Sequence, residues 1–81
     1  MPVILRYKGY ALFFYSSEGF PREPMHIHVR GNGGDAKIWL EPEIMVASSA
    51  AIPAKKLREL ISLVREQREL FIEAWKGYFD E

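Results

Sequence analysis

The feature that most constrains this chain is a change of hydrophobic period just past its middle. Residues 3–49 alternate apolar and polar side chains in steps of two, and residues 53–79 repeat them in steps of three and four. A period of two fits a half-buried strand, and a period between three and four fits one face of a helix. Strands first and a helix afterwards predict an α+β domain: an antiparallel sheet of four to five strands packed on one long C-terminal helix. Residues 1–81 read as a single domain, with the strands within 3–49 and the helix over about 53–79.

Turn chemistry divides the first half. Val3–Tyr7 is a strand, Lys8-Gly9 a tight turn and Tyr10–Tyr15 an aromatic second strand, since aromatic residues favour strands and Gly supplies turn geometry. Ser16–Pro24, with two Ser, one Gly and two Pro, is a loop. Met25–Arg30 and Asp35–Leu40 form a hairpin around Gly31-Asn32-Gly33-Gly34, the strongest turn signal in the chain. Glu41-Pro42-Glu43 breaks the run, because Pro cannot donate to a ladder, and Ile44–Ser48 is a short fifth strand.

In the second half Pro53 suits the first helical position, where its missing N–H costs nothing. Leu57, Leu60, Ile61, Val64, Phe71, Ala74, Trp75 and Tyr78 make one stripe, interrupted by Gln67 and Arg68. The interleaved Arg58, Arg65, Arg68, Lys76 and Glu59, Glu66, Glu69, Glu73 read as a solvated face. A straight helix of about 26 residues is roughly 39 Å long. A six-residue strand spans only about 20 Å. Either the helix breaks near Gln67, or its far half, Phe71, Trp75 and Tyr78, meets another chain. The second reading is preferred, and it predicts a homodimer.

Composition then excludes whole classes. Eleven basic residues balance eleven acidic ones, so the chain does not coat nucleic acid by bulk charge. The absence of Cys excludes a disulfide scaffold, a zinc ribbon and a thiol nucleophile. No apolar run approaches the roughly 18 residues of a membrane span, and the Met1–Arg6 start does not resemble a signal peptide. The expected compartment is the cytoplasm, with no membrane partner.

Chemistry concentrates in Pro24-Met25-His26-Ile27-His28-Val29-Arg30. Strand alternation projects His26, His28 and Arg30 to one face, joined by Lys37 and Trp39 of the pairing strand, while the helix covers the other face. Arg and Lys suit phosphate oxygens, and Trp suits base stacking, so this face is a candidate ligand surface for RNA or a small protein partner. Solvated strand faces also carry such residues without any ligand. His26 and His28 are candidate catalytic residues for a small metal-independent ribonuclease, acting as acid and base. A metal ion needs three or four ligands and the chain has only two His, leaving Asp35, Glu23, Glu18 or Glu41 to complete the set; no metal and no cofactor are expected. The His-x-His pattern departs from the histidine-triad hydrolases, the two-histidine phosphoesterases and the cupins, each of which requires residues absent here. A third reading is a structural interaction module that dimerises through the helix.

Taken in order, Phe14-Tyr15-Ser16-Ser17-Glu18, Pro24-Met25-His26-Ile27-His28-Val29-Arg30, Ala36-Lys37-Ile38-Trp39-Leu40 and a C-terminal helix ending near Trp75 resemble the bacterial domain of unknown function 4160 family. This chain has Pro24-Met25 where the family usually has Pro-Pro, and Ile52-Pro53 where it often has Ser-Pro or Leu-Pro. The resemblance implies a small bacterial protein of strands followed by a helix. It implies an accessory role as one half of a toxin–antitoxin-like or regulatory pair, without an assigned activity. The family's recurrent positions correspond to Glu18, His26, His28, Arg30 and Trp39.

Overall fold

A computed structural model describes residues 3–15 and 23–79. Five strands, β1 (Val3–Tyr7), β2 (Tyr10–Phe13), β3 (His26–Gly31), β4 (Gly34–Trp39) and β5 (Met45–Ala50), precede two helices, α1 (Ala54–Glu66) and α2 (Arg68–Tyr78). The strands form one sheet in chain order, every neighbour antiparallel. The α+β class and the five-stranded antiparallel sheet match the expectation. The aromatic strand ends two residues sooner, at Phe13, and Pro53 stands just outside the helix rather than as its first residue.

Two tight turns set the register. Lys8-Gly9 and Asn32-Gly33 each place both central residues at positive φ: +46° and +84° in the first, +49° and +81° in the second. That geometry follows the right-handed twist of the flanking strands. The two turns also touch, as the Asn32 side-chain amide donates to the Lys8 carbonyl at 3.1 Å. The far end of the β3–β4 hairpin is closed by the Leu40 N–H on the Met25 carbonyl at 2.8 Å and by the Met25 N–H on the Glu41 carboxylate at 3.0 Å.

One face of the sheet is the core. Tyr10, Leu12, Ile27, Val29, Ala36, Ile38 and Leu40 are buried there against Leu60 and Val64 of α1 and Phe71 and Trp75 of α2.

The single long helix is not what forms. The chain breaks at Gln67, whose φ of −106° and ψ of 22° end α1 and cap α2. The longest Cα dimension is 33 Å, shorter than the straight helix would need. The break turns the far half back onto its own sheet, so Phe71 and Trp75 lie at 0% exposure within one chain. The length mismatch that pointed to an intermolecular Phe71–Trp75–Tyr78 surface is therefore resolved inside the molecule. Of those three only Tyr78 is open, at 42%.

A polar network joins the first turn to α1. Glu59 accepts from the Tyr7 hydroxyl at 2.8 Å and from the Lys8 ammonium at 2.9 Å, and Lys56 lies at 3.6 Å. The hydrogen bonds from Lys8 and then Tyr7 hold the Glu59 carboxyl at about 2, below its ordinary 4.5. A carboxylate with a lowered pKa stabilises the fold above its unfolded value and loses that contribution as pH falls through the folded value. Wild type should therefore exceed Glu59→Gln in urea midpoint by a constant margin above pH 4.5, the margin closing between pH 4.5 and about 2. A margin independent of pH would show that the carboxylate charge plays no part.

Candidate functional site

The pairing of β3 with β4 sets His26 opposite Trp39, His28 opposite Lys37 and Arg30 opposite Asp35. Directly opposed residues share a face, so the five residues picked from the sequence do stand together. β2 adds Phe13 opposite His28, and β5 adds Met45 opposite Trp39 and Ser48 opposite Lys37. The face therefore runs unbroken to the β5 edge. Sequence reasoning misses Phe13, Tyr15 and Met45 as members of it, although the alternation of Phe13 and Tyr15 in the aromatic segment is a readable signal.

The face is not uniformly open. His26 is completely buried. Its ring centroid lies 5.1 Å from that of Trp75, 5.5 Å from Trp39 and 5.1 Å from His28. Its Nδ1 is 2.8 Å from the Pro24 carbonyl oxygen. A carbonyl only accepts, so Nδ1 carries the hydrogen and donates it. Phe13, 2% exposed, stacks on His28 at 5.8 Å and meets Tyr15 edge-on at 5.1 Å. Tyr15 in turn lies edge-on to His28 at 4.6 Å. The His26 end is thus an aromatic plug reached by α2, contrary to the expectation that the helical layer covers only the opposite face. Of the two candidate catalytic histidines, His26 is therefore buried and only His28 is partly open among the described residues. His28 stays half-buried beside the plug.

The charged end is open. Arg30 is exposed and donates to the Tyr15 hydroxyl at 3.1 Å, with Asp35 in the opposed position. Lys37 pairs with Glu23 at 3.2 Å, and its ammonium lies 4.4 Å from the Trp39 ring centroid. Glu23 therefore offsets the Lys37 charge, and Asp35 holds the register position opposite Arg30. Among the described residues no three His, Asp or Glu side chains converge as a metal site, and Glu18 lies outside the described residues. Among the described residues no helix is long and apolar enough to cross a membrane.

A family model described as a domain of unknown function, DUF4160, matches residues 9–76. No curated protein matches the chain. No solved structure matches it either.

Proposed function

The chain belongs to the domain of unknown function 4160 family, and from that premise we propose that it is a non-catalytic accessory protein that holds a protein partner on the Arg30–Lys37–Trp39–Met45 face. The observation that carries this reading is the makeup of the open surface. Trp39, Met45, Tyr15 and Arg30 are residue types enriched where proteins meet, and here they form one continuous face beside the Lys37–Glu23 ion pair. A phosphate backbone would favour cations without carboxylate partners, whereas Lys37 is paired with Glu23 and Arg30 opposes Asp35. The RNA reading and the ribonuclease reading are weaker for that reason and for the burial of His26. The role as one half of a toxin–antitoxin-like or regulatory pair in a bacterium rests on the family resemblance alone, and the cytoplasmic compartment on the sequence expectation.

The test is co-purification of tagged chain from its host cell. Arg30→Ala, Lys37→Ala and Trp39→Ala combined should release the bound protein while the variant keeps a cooperative urea transition, with about 1–3 kcal/mol of stability lost because half-buried Trp39 packs on His26. Retention of every bound protein by the triple variant would sink the proposal. Bound RNA released by the same variant would instead establish the nucleic-acid reading.

A further inference from the structure

β5 is the free edge opposite β1, and all six of its residues are exposed. Met45-Val46-Ala47-Ser48-Ser49-Ala50 contains no charge and no Pro. Edge strands that avoid pairing usually carry Lys, Pro or inward charges. A register shift at Lys37/Ile38 leaves Ala47 without an opposed residue, the one irregularity along this edge. Beside the edge, on the core side of the sheet, a groove of about 460 Å³ runs between β5 and α1. Its floor is Val46, Leu57 and Ile61, and its wall carries Arg58 and Arg65. Among the described residues no acidic one lines it, and neither guanidinium has a carboxylate partner.

We propose that the β5 edge and this groove take an extended, acidic, apolar segment of a partner protein, added as a sixth strand beside β5. The backbone of β5 supplies the ladder, and among the side chains that alternation points into the groove, apolar ones meet Val46, Leu57 and Ile61 while carboxylates reach Arg58 and Arg65. A second copy of the chain is the poorer occupant. Pairing β5 with itself about a two-fold axis would set two grooves side by side, each with two guanidinium groups and no carboxylate among its lining residues. The groove lies on the other side of the sheet from the Arg30–Lys37–Trp39 surface, and the β5 edge shares only Met45 with it, so failure of the peptide test leaves the proposed function standing.

The probe is a short synthetic peptide repeating Val-Ser-Glu-Ser, which puts Val and Glu on one face of a strand, titrated into the isotope-labelled full chain and followed by amide shifts. Shifts should be confined to residues 45–50 and 54–65, and the peptide should bind about tenfold more tightly than its Lys-for-Glu counterpart. Arg58→Glu with Arg65→Glu, both on exposed positions of α1, should reverse that preference. Arg30→Ala with Trp39→Ala should leave it unchanged. Absence of binding, equal affinity for the two peptides, or shifts centred elsewhere would overturn the proposal. A dimer without peptide, abolished by Val46→Lys, would assign the edge to a second copy and overturn it too.

Discussion

Trp75→Ala is expected to lose about 3–5 kcal/mol of stability, a large share of what a domain this small possesses. The ring is fully buried and is the largest of the completely buried side chains. It meets Phe14 edge-on at 5.2 Å and 86°, Phe79 at 4.3 Å and His26 at 5.1 Å. Removing it leaves three rings facing a void, and the sheet beneath is hydrogen-bonded too rigidly to collapse into it. A domain's total stability is about 5–15 kcal/mol, and a chain this small belongs near the lower end. The variant should therefore be largely unfolded in mild urea, whereas Trp75→Phe, which keeps an aromatic ring, should lose about half as much. Circular dichroism through a urea titration checks both. The same substitution distinguishes a core role for this residue from an interface role. A Trp75 that served an interface between chains would, when removed, change the mass in solution and spare the monomer.

Gly31→Ala is expected to cost about 3 kcal/mol for a different reason. Gly31 sits opposite Tyr10 where β2 and β3 meet. A methyl group there would overlap the Gly9 carbonyl oxygen and come within 2.8 Å of the Tyr10 Cα. Both obstacles are backbone, so no side-chain rotation relieves them, and the strands must part. Gly33, two residues on, supplies the contrast. A Cβ there meets nothing within 4 Å, but φ is +81°. Gly33→Ala should cost only about 1 kcal/mol, the usual penalty for a Cβ in left-handed backbone. Equal urea midpoints for the two variants would contradict the close approach of β2 and β3 at Gly31.

Turn chemistry made the strands legible. Lys8-Gly9 and Gly31-Asn32-Gly33-Gly34 punctuate a period-two pattern, and a two-residue turn leaves little choice of register. That is why His26, His28, Arg30, Lys37 and Trp39 fall on one face from the sequence alone. The break at Gln67 is harder to read, because neither Pro nor Gly marks it. It is enforced by tertiary packing, since only a turn there returns Phe71 and Trp75 to the sheet. The state of the site depends on that unmarked turn. Alternation assigns His26 a face, but what reaches that face from α2 is a long-range matter, and so its burial is invisible in the sequence. The same holds for Glu59, which reads as one of several solvated helix charges and is bonded to Tyr7 and Lys8 more than fifty residues away. Net neutrality proves informative at the site as well. On the candidate face Lys37 is paired with Glu23, and Asp35 stands opposite Arg30 in the β3–β4 register.

The central claim is that the open end of this face is a surface for protein and not for RNA. A photo-crosslinking amino acid placed at position 30, with a second chain carrying it at the exposed position 69 of α2, tests it most directly in the host cell. The account predicts a discrete protein adduct from position 30, none of the same mass from position 69, and loss of the adduct when Lys37→Ala and Trp39→Ala are added. Nuclease-sensitive adducts from position 30, or the same protein captured from both positions, would contradict it.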